Sequence, residues 1–174
     1  MWGGETGEGF ITLPIFYATN RNLLTKSKSG SGSKRVYGTG RHTEVNFGVN
    51  WMSLPDQLGY GDVDGSIWRH SANRKGAPRK KIVAISAVPV LERACVGKMN
   101  NVMRSLGESE AILFVHGYNS TLANATKRLA QVAYIGNFRG PSFVFSWPSN
   151  ESMASYTADE ANVMWAVPDF VQTL

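Results

Sequence analysis

Cysteine is nearly absent: a single residue, Cys95, in a chain of 174. That excludes an intramolecular disulfide framework and any zinc site built on several thiolates. Long apolar runs are missing too, since none approaches the roughly 20 residues a membrane helix requires. The N-terminus, Met1-Trp2-Gly3-Gly4-Glu5, has no basic flank leading into an apolar stretch and does not read as a signal peptide. Charged residues are only 18% of the total, whereas hydrophobic ones reach 43%. Such a composition buries a sizeable core, and global disorder is excluded. The length suits one domain and not two. The expectation is a soluble, cytoplasmic globular chain with no membrane span.

What charge there is lies unevenly. Residues 1–107 carry a net charge of +8 and residues 108–174 a net of −3, giving +5 overall. Basic residues gather at Lys26, Lys28, Lys34 and Arg35, and again at Arg69, Arg74, Lys75, Arg79, Lys80 and Lys81. Both clusters lie among Gly, Ser, Asn and Pro, and aromatics are not interleaved at stacking spacing apart from the marginal Tyr37 and Trp68. They read as solvated loops, so no nucleic-acid partner is expected. The Gly/Ser-rich run 25–34 has no Walker spacing and no strand feeding it, and reads as a flexible loop. No metal and no cofactor is expected.

Periodicity divides the chain into residues 1–80, with N-terminal strands and basic loops, and residues 81–174, with a regular α/β alternation. Residues 1–9 read as a loose tail. Phe10 to Ala18 is apolar but interrupted by Pro14, which suits an edge strand. Val45, Phe47, Val49 and Trp51 alternate with polar residues or glycine, the period of a half-buried strand. Ile82 to Val88 reads as a more buried strand. Leu91, Cys95, Met99, Val102 and Leu106 recur at helical spacing, closed by Gly107. Cys95 therefore reads as core packing and not as a reactive thiol.

Ala111 to Val115 is a continuous apolar run, expected to be a strand buried on both faces. A helix with the stripe Leu122, Ala125, Leu129 and Val132 is expected from about Asn119 or Ser120, both good N-caps. Ser142 to Trp147 is a further strand ended by Pro148. Thr157 to Val167 reads as a helix with Asp159 and Glu160 in its first turn, and Pro168 could start another. The alternation from residue 82 onward predicts an α/β fold with a mainly parallel sheet flanked by helices.

Chemistry concentrates where the Ala111–Val115 strand meets His116-Gly117-Tyr118-Asn119. A buried strand delivering a sharp turn into a helix N-terminus gathers free backbone N–H groups in a field that favours negative charge. Gly117 permits close approach or an unusual backbone angle. This is the local architecture of an oxyanion hole; the alternative is an ordinary strand-to-helix turn that contains a glycine.

The run Val115-His116-Gly117-Tyr118-Asn119 resembles the H-G-[FY]-N turn of a bacterial α/β-hydrolase family of unknown function. Three further segments resemble that family in the same order: Phe16-Tyr17-Ala18-Thr19-Asn20-Arg21; Ala125 to Tyr134 with Arg128, Ala130-Gln131 and Ala133-Tyr134; and Phe145-Ser146-Trp147-Pro148-Ser149 followed by Tyr156 and Asp159. The likeness spans nearly the whole chain, weakly in 22–80 and strongly in 111–161.

It implies a role for each matching residue. The backbone N–H of Tyr118 would be one oxyanion donor. His116 would orient the turn structurally and would not be the catalytic base. Asn119 would cap the helix or brace the turn. Trp147 and Pro148 would end a strand at the rim of the site, and Tyr156 and Asp159 would hold the segment crossing it.

Against that pattern, no G-x-S-x-G occurs in residues 1–174, although the nucleophile of this fold sits on such an elbow and precedes the acid and the histidine. His42 and His70 read as surface histidines. The expectation is therefore an incomplete α/β-hydrolase fold, the N-terminal part of a serine hydrolase of esterase or lipase type, lacking the nucleophile strand and all that follows. Its partner, once completed, would be a small acyl or ester substrate. The alternative is a non-catalytic hydrolase-like binding or interaction module. A third reading, that Ser120 or Ser146 is itself the nucleophile, fails on the missing elbow. Without a nucleophile strand, Ala111–Val115 would present an unpaired apolar edge, and self-association through it is expected.

Overall fold

The computed structural model describes residues 6–7, 10–24, 37–55, 82–150 and 156–174. Their elements are, in chain order, β1 (Thr6–Gly7), β2 (Phe10–Leu23), β3 (Tyr37–Pro55), β4 (Val83–Val90), α1 (Glu92–Leu106), β5 (Ile112–Val115), α2 (Leu122–Ile135), β6 (Ser142–Ser146) and α3 (Tyr156–Thr173). The strands form one sheet in the order β4-β3-β2-β6-β5, with β1 paired to β2.

The α/β class follows from this alternation, but the sheet is mixed and not mainly parallel. Only β2–β6 and β6–β5 run parallel; β1–β2, β2–β3 and β3–β4 are antiparallel. The long hairpin-like pairing of β2 with β3 supplies a broad antiparallel half, on which the parallel half is built through β6.

Three strands sit differently from their sequence expectation. The Phe10–Ala18 stretch belongs to β2, which is central. Pro14 fits there because pairing with β6 begins one residue later, at Ile15 with Ser142, so the second ladder has not yet begun at the proline. Ile82–Val88 lies mostly in β4, an edge strand that carries Pro89 and leaves Val88 46% exposed, so it is not the more buried strand. The apolar run 111–115 is likewise an edge. Ile112 and Phe114 face the packed side, while Leu113 and Val115 are 41% and 43% exposed. Helices cover one face of β5 and not the other, so it is not buried on both.

Helix α2 covers one face of the sheet. Its Leu122, Ala125, Leu129 and Ala133 pack on Leu13, Ile15, Tyr17, Met52, Leu54 and Val144. The Tyr17 ring lies across Gly48 of β3, where an added Cβ would collide with it; this glycine makes room for the aromatic side chain. The opposite face is shared by α1 and α3. Cys95 of α1 is buried against Phe16 and Val49, with its thiol pushed up to about 11 by burial, as expected of a packing residue. Ala166 of α3 meets Ala18, Phe145 and Trp147. The second half of β3, from Gly48 to Pro55, is thus covered on both sides, whereas Glu44 to Phe47 are exposed or half-buried.

The helix boundaries follow cap chemistry. α1 ends as expected at Gly107, which takes φ 66°, the left-handed conformation that glycine adopts without steric penalty. α2 begins later than expected: Thr121 is its N-cap and accepts a hydrogen bond from Asn124 N at 3.1 Å. α3 continues through Pro168 to Thr173, so the proline lies inside one helix and does not start a second. Among the described residues no helix is long and apolar enough to cross a membrane.

Candidate active site

β5 and β6 run parallel and finish side by side, with Val115 opposite Phe145. The residues that leave them, His116 and Trp147, are locked together. The Trp147 indole N–H donates to His116 O at 2.8 Å, and the two rings stack with centroids 5.2 Å apart. His116 is 5% exposed.

Behind this pair sits Arg21, from the end of β2, buried to 1% exposure. Its Nε donates to Ser146 Oγ at 3.0 Å and its Nη1 to Gly38 O at 3.1 Å and Ser149 O at 3.2 Å. Its Nη2 donates to Ser120 O at 2.6 Å and approaches His116 Nε2 at 3.4 Å. One guanidinium thus ties β2, β3, the turn after β5 and the segment after β6 into a single knot. A planar fork with five donors is suited to this task.

The same contacts fix the state of His116. Its Nδ1 lies 2.8 Å from Gly117 O, which can only accept, so Nδ1 carries the proton. Nε2 then offers a lone pair to Arg21 and to the Ser146 hydroxyl, 3.0 Å away. Burial, followed by the Arg21 charge, lowers the imidazole pKa to about 4. His116 is a neutral brace at physiological pH, and its outer nitrogen is already engaged.

The turn itself differs from expectation in one respect. The unusual backbone angle is at Asn119, with φ 55°, and not at Gly117. Asparagine tolerates that conformation better than most residues; the cap of α2 is Thr121 and not Asn119. At Gly117 an added Cβ would meet nothing within 4 Å among the described residues. The glycine is therefore not required by internal packing, and the space beside it is open.

That space is a cavity of about 230 Å³ lined by Phe114, Gly117, Tyr118, Ser120, Asn124 and Arg128, among others. Among the described residues the Tyr118 N–H meets no hydrogen-bond acceptor. The Tyr118 ring meets Trp147 edge-on at 5.6 Å and Tyr156 at 4.6 Å, which makes an aromatic rim.

Asp159, in the first turn of α3, is buried and holds the strand-to-helix segment after β6. Its carboxylate accepts from Ser149 Oγ at 2.7 Å and from both Asn150 N and Asn150 Nδ2 at 2.8 Å. Burial raises its pKa, but these hydrogen bonds, with Asn162, outweigh burial and hold it below the usual carboxylate value. Asn162 Nδ2 donates in turn to Pro148 O at 2.8 Å, and Arg41 Nε to Asn162 Oδ1 at 2.6 Å. Asn20 Nδ2 reaches Asp169 at 2.8 Å.

The structure gathers His116, Gly117, Tyr118 and Asn119 with Trp147, Tyr156 and Asp159 at one end of the sheet. His42 stands apart, its ring bonded only to its own strand at Glu44. The basic clusters 26–35 and 69–81, with His70, lie outside the described residues. Ser146 and His116 form a serine–histidine pair, yet Ser146 is fully buried and shares its hydroxyl with Arg21, so no substrate carbon reaches it. Among the described residues no histidine hydrogen-bonds the Ser120 hydroxyl, which bonds only Thr121 O at 3.5 Å. Among the described residues no three His, Cys, Asp or Glu side chains converge.

Sequence reasoning did not assign Arg21, Ser146 and Ser149 their parts in the network. The available signal was a polar Thr19-Asn20-Arg21 run ending an otherwise buried strand, since such groups must find partners at the strand's end.

Residues 92–174 match the model of a family described as "Alpha/beta hydrolase of unknown function (DUF900)". The match spans α1 to α3 and contains the whole turn, β6 and Asp159. Searches of curated proteins and of solved structures gave no match.

Proposed function

From a chain whose residues 92–174 match the model of an α/β-hydrolase family of unknown function, we propose a serine hydrolase of acyl esters, for which this chain supplies half of the oxyanion hole. The observation that carries the reading is the His116–Asn119 turn. It is held from behind by Arg21 and Trp147, and among the described residues it is open in front, where Gly117 faces free space and the Tyr118 N–H meets no acceptor. A preorganised donor beside an open cavity stabilises charge that develops on a carbonyl oxygen during attack.

The nucleophile does not come from the serines near the turn, because Ser146 is sequestered and Ser120 lacks a base. The reading places it on a strand pairing with the free edge of β5. There the serine oxygen would attack the acyl carbon, a histidine would take its proton, and Tyr118 N–H would receive the oxyanion. The tetrahedral adduct would then collapse, the ester C–O bond breaking as the histidine gives its proton to the departing alcohol. Water, giving a proton to the same histidine, would attack the acyl-serine and release the carboxylic acid while the serine oxygen regains that proton. The absence of G-x-S-x-G within the 174 residues favours a second reading, a non-catalytic module that binds small ligands at the same turn.

A fluorophosphonate probe tests both, applied to the 174-residue chain and to the product of its open reading frame. The acyl-hydrolase reading expects no labelling of the former and labelling of the latter at a serine outside residues 1–174, with ester turnover. Labelling of Ser146 or Ser120 would overturn it. A full product with neither label nor turnover leaves the binding-module reading.

A further inference from the structure

Far from the turn, a second cavity of about 270 Å³ lies between the C-terminal half of α1 and the β4-β3-β2 face. Pro14 and Phe16 of β2 and Pro141, before β6, mark its place at the start of the parallel strands. The candidate turn is at their other end. From Ser142 to Ser146, β6 alone has five residues, whose four steps of about 3.3 Å cover roughly 13 Å.

The chemistry of this cavity is two-sided. Phe16, Val49, Trp51, Val90, Val102 and Leu106 make an apolar floor. The polar side chains lining it are Lys98, Asn101 and Arg139, all exposed. Neither Lys98 nor Arg139 forms an ion pair with a carboxylate among the described residues. An apolar pocket with a few convergent polar groups is the usual form of a small-molecule site, although this one is slightly below the common range of about 300–1,000 Å³. It holds about nine water volumes at ~30 Å³ each, which suits a ligand of about that many heavy atoms.

We propose that this cavity binds an amphipathic monoanion, a medium-length straight-chain carboxylate. Its tail lies against Phe16, Trp51 and Val102, and its headgroup sits at the rim beside Lys98, Arg139 and Asn101. An apolar floor alone would accept any hydrocarbon. Two cations without a carboxylate partner at the mouth select a negative headgroup, and an acid there would be repelled by no neighbouring carboxylate of the lining. The proposal concerns a different site from the turn and does not depend on the acyl-hydrolase reading.

The test titrates the 174-residue chain with sodium octanoate below its micelle concentration, by calorimetry and by tryptophan fluorescence, since Trp51 lines the floor. Saturable binding at one site is expected, with 1-octanol, which has the same tail and no charge, at least tenfold weaker. The double variant Lys98→Glu/Arg139→Glu, at two exposed positions, should lose at least tenfold in octanoate affinity. Its affinity for 1-octanol should stay unchanged, which also reports that the floor is intact. Trp51→Phe should remove the fluorescence change and keep the calorimetric one. The proposal is overturned by an absence of saturable octanoate binding, by equal affinity for 1-octanol, or by less than a threefold loss in the double variant. Binding to anionic phospholipid vesicles without binding of free octanoate overturns it as well.

Discussion

At its C-terminal end β5 runs into a knot where His116, Ser146, Ser149 and Ser120 all share the Arg21 guanidinium. Along its outer edge the same strand has no neighbour in the sheet among the described residues and leaves Leu113 and Val115 exposed. A few residues therefore separate a buried, satisfied polar network from a bare apolar edge. Each is unusual alone, because unsatisfied polar groups are avoided inside proteins and bare edges are avoided outside. On the acyl-hydrolase reading the two would divide labour: the end of the strand holds a donor at a fixed place, and the edge leaves room for a further strand.

Breaking the knot gives the largest expected effect. Arg21→Ala strips donors from four chain segments and leaves Ser120 O, Ser149 O and Gly38 O short of partners. With each buried acceptor left unsatisfied costing about 1–3 kcal/mol, it should destabilise the chain by about 3–5 kcal/mol, read as a fall in Tm of roughly 10 °C or more. Arg21→Lys should recover little, because a single ammonium cannot fork to the same carbonyls. A loss below about 1 kcal/mol would show that the knot is not what holds this end.

The knot also makes stability depend on pH. The unfolded imidazole has a pKa near 6.5 and the folded one about 4, so between those values the unfolded state binds a proton that the native state refuses. His116 therefore contributes no loss above pH 6.5. As pH falls from 6.5 to 4 its contribution costs the native state about 3 kcal/mol, and below pH 4 it costs nothing further. Urea unfolding at pH 7.5 and 4.5 checks this, and His116→Gln should remove most of the difference. Asp159 acts in a lower window: its folded pKa is depressed, so its stabilisation is lost as pH falls from the ordinary carboxylate value through the folded one.

At the edge the expected effect is on association and not on folding. Leu113→Lys with Val115→Lys should shift sedimentation toward monomer at high concentration, with a stability change of about 1 kcal/mol or less, since both side chains are already exposed. Unchanged sedimentation would remove the edge as a contact surface. The smallest effect is at the turn. Gly117→Ala should alter stability by no more than about 0.5 kcal/mol, given the open space beside it. A large loss would mean that packing, and not ligand approach, calls for glycine at that position.

Which parts were legible follows from how far each signal reaches along the chain. The Cys95 stripe and Gly107 closed α1 where the structure does, because helix periodicity and caps are local. The turn between β5 and α2 was readable from four consecutive residues. Strand order was not: Pro14 argues for an edge until β6, about 130 residues later, is found to begin pairing just past it. The exposed faces of Val88 and Leu113 escaped for the same reason, since an apolar run does not say which helix covers it. His116 was read from its neighbours in the turn, whereas Arg21, which it meets in the folded chain, lies 95 residues away. The glycine rule pointed to Gly117 for backbone freedom that Asn119 in fact supplies.

Arg21 draws on partners 17, 95, 99, 125 and 128 residues distant. Contacts of such separation close late in folding, because the loops between them must lose their entropy first. Until β2, β3, β5 and β6 have met, the guanidinium stays in water and nothing steadies the His-Gly turn. The Arg21 contacts therefore form only after those strands have paired, and a molecule halted short of that step would show its β5 edge with the His-Gly turn unbraced.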